Sequence, residues 1–165
     1  MNLLCIDPGT TTSGVVCFDG KNPNPVFPEI DNEILLEKIN TLPAHHMAIE
    51  MVACYGMPVG KETFETCVWI GRFIQAFKGS HTKVFRKDVK LCLCNSLRAK
   101  DANVRRAILD LFPATGGGKT PQIGIKKQPG PLFGVSNHAW AALAVGITYF
   151  EKQGVFKNQG GGHDN

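Results

Sequence analysis

Two carboxylates stand where a folded chain tolerates charge only if something compensates it. Asp7 closes the short apolar run of residues 2–7 and is followed at once by Pro8 and Gly9. Its side chain is therefore expected at the carboxyl end of a buried strand, where the backbone turns away. Glu50 is the one charge inside Met47-Ala48-Ile49-Glu50-Met51-Val52-Ala53, and an ionised carboxylate in such a run is costly unless it is paired or bound to a metal. If the two strands are neighbours in one sheet, Asp7 and Glu50 converge on a point, and a divalent cation shared between them removes their repulsion. Taken singly, each has a plainer reading: Asp7 capping a turn, Glu50 on an exposed strand face. Their joint occurrence favours the site.

The elements that must position these groups can be read from periodicity and punctuation. Residues 2–7 and 14–18 predict two strands, and Asp19-Gly20 is a hairpin signal. Residues 21–28, with three prolines, predict a loop or a poor edge strand. Asp31 is placed to cap a helix whose apolar face carries Ile34, Leu35, Ile39 and Leu42. Residues 47–54 predict a strand and residues 60–77 a helix stopped by Gly79, with Phe64, Cys67, Val68, Gly71, Ile74 and Phe77 at helical spacing. A strand at 82–85, a brief helix capped by Asp88 and a helix at 100–112 follow, the last turning Val104, Ala107, Ile108 and Leu111 inward. Residues 113–131, rich in glycine, proline and lysine, predict a loop, and Ser136 is placed to cap a final apolar helix. Strands first and last flanked by helices make an α/β sheet protein, and this pattern by itself names no function.

A chain of 165 residues suits one sizeable core. The expectation is a single domain over residues 1–158 and a disordered tail over 159–165. No apolar run reaches membrane-spanning length, and Met1 leads into a strand pattern rather than a signal segment, so a soluble cytoplasmic protein is expected. The six cysteines show no C-x-x-C pairing and lie mostly in apolar runs, which predicts reduced core thiols rather than a zinc site. Net charge is +4 but unevenly spread. Residues 1–66 are acidic, whereas residues 83–127 gather Lys83, Arg86, Lys87, Lys90, Arg98, Lys100, Arg105, Arg106, Lys119, Lys126 and Lys127 against Asp88, Asp101 and Asp110. Such a region suits a polyanion, although a solvated basic face would look the same.

Five segments, in order, carry a resemblance. They are Leu4-Cys5-Ile6-Asp7-Pro8-Gly9, a second strand beginning near Gly14, Ala48-Ile49-Glu50, Arg98-Ala99-Lys100-Asp101-Ala102-Asn103-Val104 and His138-Ala139-Trp140-Ala141-Ala142-Leu143-Ala144. Their order and spacing resemble the RuvC-type Holliday junction resolvases of the ribonuclease H-like superfamily. Tyr55-Gly56-Met57-Pro58-Val59-Gly60-Lys61-Glu62 and Gly130-Pro131-Leu132-Phe133-Gly134-Val135 are similar to stretches of the phage-encoded branch. The resemblance implies a ribonuclease H-like fold, with a mixed central β-sheet flanked by helices. It also implies Mg2+-dependent phosphodiester hydrolysis through two metal ions, with Mn2+ as a substitute. Branched DNA (four-way junctions, forks, flaps) would be the substrate, a homodimer the working unit, and the bacterial host cytoplasm the place of action.

Carried over position by position, the resemblance makes Asp7 a ligand to both ions, Glu50 a ligand to one and Lys100 an assisting lysine. The last helix departs from the pattern: where resolvases usually carry two acids three residues apart, this chain has His138 and Ala141. An imidazole at the first position can ligate a metal, and Ser136 just before it favours the neutral ring at the positive helix end. Ala141 supplies nothing, so either water completes the set, or Glu65, Glu62 or Asp101 enters it, or metal binding is weak. Arg98, Arg105, Lys119, Lys126 and Lys127 are expected to touch DNA backbone. Phe64, Trp69 and Phe73 are expected to divide between core and dimer contact, and His45-His46 is expected to be a polar loop end. Two similarities are set aside. Residues 6–14 resemble the first phosphate loop of sugar kinases and actin-like ATPases, which need two such domains. Gly116-Gly117-Gly118-Lys119-Thr120 lacks the earlier glycine and the preceding strand of a phosphate-binding loop. The functions that compete are a structure-selective endonuclease, a catalytically weak or inactive branched-DNA-binding protein, and a less selective flap, fork or hybrid nuclease.

Overall fold

Alternation along the first strand determines how the layers stack. In a computed structural model that describes residues 1–155, β1 (Leu3–Asp7) sends Leu3 and Cys5 into one apolar cluster and Leu4 and Ile6 into another. Successive strand side chains point to opposite faces, so a strand apolar at every position must be covered on both sides. The same parity holds in β4 (His46–Met51), where Ala48 joins the first cluster and Met47 and Ile49 the second.

With β2 (Thr12–Phe18), β3 (Pro23–Asp31) and β5 (Ser80–Phe85), these strands form a five-stranded sheet in the order β3-β2-β1-β4-β5. The β3–β2 and β2–β1 pairs are antiparallel, and the β1–β4 and β4–β5 pairs are parallel. One face is covered by α1 (Asn32–Lys38) and α2 (Lys61–Ala76) through Leu35, Ile70 and Phe73. The other carries α3 (Arg86–Cys94), α4 (Asp101–Leu111) and the apolar α5 (Ala139–Lys152). Gly146 brings α5 down onto β1, since a Cβ there would lie 2.4 Å from Cys5 Sγ. The molecule is thus an α/β protein with a mixed sheet between two helical layers. Among the described residues no helix is long and apolar enough to cross a membrane.

Several expectations need correction. Of the two readings of the proline-rich segment, the edge strand holds: residues 23–31 pair as β3 at the edge of the sheet, with irregular register against β2. Asp31 does cap α1, accepting from the Glu33 and Ile34 amides, but Ile34 itself is 46% exposed. Asp88 does not cap α3, because Phe85 holds that position and the Asp88 carboxylate instead meets Lys152 Nζ at 3.0 Å. Nor does the Ser136 side chain cap α5: His138 is the N-cap, and only the Ser136 carbonyl takes part, accepting from Ala139. The glycine-rich segment contains a small hairpin, β6 (Gly124–Ile125) with β7 (Gln128–Pro129).

Cys5 and Cys17 are buried thiols as expected, whereas Cys54 and Cys92 are exposed. His46 is not a loose loop end. It opens β4, bonds Ser80 Oγ at 2.6 Å and Thr82 Oγ1 at 2.9 Å, and stacks on Tyr149. The expected tail lies outside the described residues.

Candidate active site

Parallel register brings the two carboxylates together. Cys5 pairs with Ala48 and Ile6 with Ile49, so one step further Asp7 is level with Glu50, both on the face covered by α5. Their side chains stand close enough for each to act on the other's titration, and two like charges so placed are relieved when the pair holds a proton. Burial pushes Glu50 up to about 8, with the Asp7 charge as the next cause. Burial also raises Asp7, against the hydrogen bond from Glu50 and the nearby Arg86 charge, which lower it. Burial thus raises both carboxyls, and the pair favours holding a proton between them.

The turn after Asp7 is fixed from below by a polar knot. The Gly9 amide donates to Ser13 Oγ, Ser13 Oγ donates to Asn32 Oδ1 at 2.6 Å, and Asn32 Nδ2 returns to the Gly9 carbonyl at 3.0 Å. Ser13 and Asn32 are almost wholly buried, and a closed set of buried hydrogen bonds holds one geometry. A Cβ on Gly9 would sit 2.3 Å from the Thr12 carbonyl oxygen, so the turn admits only glycine.

His138 reaches the pair by close approach of backbone to backbone. Gly14 lies opposite Asp7 in the β1–β2 register, and a Cβ there would come within 2.4 Å of the His138 carbonyl. Glycine thus lets the start of α5 rest on β2, which carries His138 Nδ1 to 3.4 Å from Asp7 Oδ2. Above the three residues opens a cleft of about 490 Å³, also lined by Glu29, Arg86, Asp101, Arg105, Asn137, Trp140 and Ala141. Glu29 is held by Thr12 Oγ1 at 3.1 Å. Arg86 is hydrogen-bonded to Asp101, and the Arg105 guanidinium lies 4.8 Å from the Trp140 ring centroid.

Asp7, Glu50, His138 and Arg105 are therefore brought together, and Ala141 faces the same space. Of the acids considered as replacements, Asp101 lines the cleft, whereas Glu62 and Glu65 do not. Lys100 is the exposed N-cap of α4, its amide donating to Asn103 Oδ1, and its side chain does not line the cleft. Arg98, Lys119, Lys126 and Lys127 are exposed outside it. Arg86, Glu29 and Asn137 were not anticipated. The signal for Arg86 was parity: it follows Val84 by two at the end of the third parallel strand, and Val84 pairs with Glu50.

The donor set fits a hard divalent cation, since the buried carboxylate pair needs a proton to relieve its repulsion and a cation would relieve it equally. Asp7 and Glu50 would hold it, with the His138 ring beside them. Among the described residues, no group of three or more His, Cys, Asp or Glu side chains stands at ligand spacing. Water would therefore complete the coordination of an ion held here.

The order and direction of the strands, with helices on both faces, define a ribonuclease H-like fold. The chain is similar to the solved structure of Thermus thermophilus RuvC, at a TM-score of 0.63 and 17% identity over 94% of this chain and 98% of that one. It is also similar to T. thermophilus RuvC solved in complex with a Holliday junction substrate, at a TM-score of 0.64 and 16% identity over 94% and 97%. No family model and no curated protein sequence matches.

Proposed function

We propose that the chain is a structure-selective DNA endonuclease that cuts four-way junctions or other branched DNA. The observation that carries this reading is the buried Asp7–Glu50 pair at the carboxyl ends of adjacent parallel strands, flooring an open cleft beside an imidazole and a guanidinium. Magnesium, or manganese in its place, would supply the charge that activates water and stabilises the leaving oxygen. Asp7 and Glu50 would hold it, with His138 as the third protein ligand, while Arg105 and Arg86 draw the scissile phosphate over the carboxylates. Arg98, Lys100, Lys119, Lys126 and Lys127 would bind backbone outside the cleft, which selects for shape and makes binding fall steeply with salt.

Two copies cutting symmetrically would suit a four-way junction. Phe64 and Val68, each 62% exposed and one turn apart on α2, support such pairing, while Phe73 is spent on the core. The phage-encoded branch, with action in the host cytoplasm, is the origin that the sequence resemblance supports. The test is a labelled four-way junction incubated with the protein and magnesium or manganese, alongside linear duplex, fork, flap and RNA–DNA hybrid. Paired nicks confined to branched substrates are expected. Equal cutting of linear duplex or hybrid would replace this reading with a less selective nuclease.

Ala141 favours a second reading, a branched-DNA-binding protein with weak or no catalysis, because a residue without ligand atoms faces the cleft. Ala141→Asp should shift the magnesium dependence of cutting to lower concentration, by about ten-fold for one added carboxylate ligand. An unchanged magnesium titration would remove this position from the metal site.

A further inference from the structure

Arg86 lines two cavities at once. Beside the carboxylate cleft lies a second open groove of about 460 Å³, lined by Tyr55, Lys87, Lys90, Leu97 and the same Arg86. Three of its five lining residues are cations from the first turns of α3, where spacings of three and four residues put Lys90 on the face shared by Lys87 and Arg86. No acid lines the groove. Asp88, the only acid on α3, is turned away to Lys152, and Lys87 and Lys90 form no ion pair with any described acid. Lys87 instead lies over the Tyr55 ring, 5.5 Å from its centroid.

The hold on Arg86 is of a replaceable kind. Its side chain is 30% exposed and hydrogen-bonds Asp101, whose side chain is 93% exposed. A carboxylate so fully in water is a weak partner, whereas a phosphate takes the guanidinium fork in two parallel hydrogen bonds. The charge of Arg86 also acts on both Asp7 and Glu50, so the side chain stands between the carboxylate floor and the basic groove.

We infer that the groove is a subsite for the phosphodiester next to the one cut, and that Arg86 leaves Asp101 for the incoming strand and so joins the two subsites. The inference rests on the nuclease reading and assigns the groove a ligand class, a nucleic-acid backbone phosphate. Asp101 acts as a placeholder that keeps the guanidinium aligned until the strand arrives.

The experiment is binding of a fluorescein-labelled four-way DNA junction to the full chain in EDTA, so that no cutting occurs, followed by anisotropy across a KCl series. Arg86→Gln should weaken binding about ten- to hundred-fold, the loss for one hydrogen-bonded charged group, and flatten the log–log salt slope by about one. Arg86→Lys should keep the slope and recover part of the affinity. The surface double variant Lys87→Gln/Lys90→Gln should flatten the slope by about two, and a melting curve matching that of the parent protein would show that it is folded. Asp101→Asn should tighten binding, because it removes the competing carboxylate. Weaker binding by Asp101→Asn and Arg86→Gln alike would overturn the inference, making the pair a structural strut. An unchanged salt slope in Arg86→Gln or in the lysine double variant would do the same while leaving the nuclease reading intact. If the parent protein binds no junction at all, the nuclease reading fails and this inference with it.

Discussion

Asp7→Asn is expected to lower strand cutting by roughly a thousand-fold or more while leaving junction affinity in EDTA unchanged or slightly increased. The magnitude follows from removing a charge-stabilising group that acts in the transition state. Asparagine keeps the shape of Asp7, so the polar knot formed by Gly9, Ser13 and Asn32 beneath it stays whole. What disappears is one carboxylate of the buried pair, the one that the His138 ring faces. Binding needs no such charge, since it draws on the arginines and lysines around the cleft, and a carboxylate opposite a phosphate only repels it. Cutting and affinity should therefore separate cleanly. Cutting that persists within ten-fold of the parent rate would remove Asp7 from the mechanism.

Glu50→Gln should make the metal-free protein more stable at pH 8 and abolish most of its pH dependence. Burial, with the Asp7 charge beside it, raises Glu50 from 4.5 to about 8 in the folded protein. A carboxyl whose folded value is raised binds its proton more tightly folded than unfolded. The stability this contributes is fully present below about 4.5 and is lost as pH rises through about 8. Asp7, also raised, acts with the same sign. The parent protein in EDTA should lose on the order of a few kcal/mol between pH 5 and pH 8, read as a falling Tm. Glutamine imitates the protonated form and can still donate to Asp7, so its Tm should stay nearly level over that range. Added magnesium should restore the parent at pH 8 and help the variant far less, because only the parent gains a second carboxylate for the ion. A parent Tm that does not change from pH 5 to pH 8 would mean that the pair is already compensated by Arg86.

The two predictions share a cause. A site that forces like charges together is less stable than the same fold without it, and catalytic sites commonly carry that penalty. Gly14 has a related role: it adds no side chain to the core, yet its lack of a Cβ lets His138 reach Asp7.

The sequence by itself determined the parts that depend on short-range physics. Alternating and continuous apolar runs marked β1, β2 and β4, because strand side chains reach opposite faces at every second residue. The anomaly of Glu50 in an apolar run and of Asp7 before Pro8-Gly9 marked both carboxylates, because a buried charge needs a local reason. Only the tertiary structure decided which side chains meet. Parallel register between β1 and β4 makes Asp7 and Glu50 one titrating pair, and register between β4 and β5 carries Arg86 beside it. Sheet order puts the proline-rich β3 at an edge where it can form at all. Asp88 and Ser136 gave way as caps because capping geometry answers to the whole fold: Asp88 lies within α3's first turn, where its carboxylate meets Lys152, and His138 takes the N-cap position of α5. Distances between residues far apart in the chain follow from how strands are ordered and paired, and no local pattern of residue types contains that order.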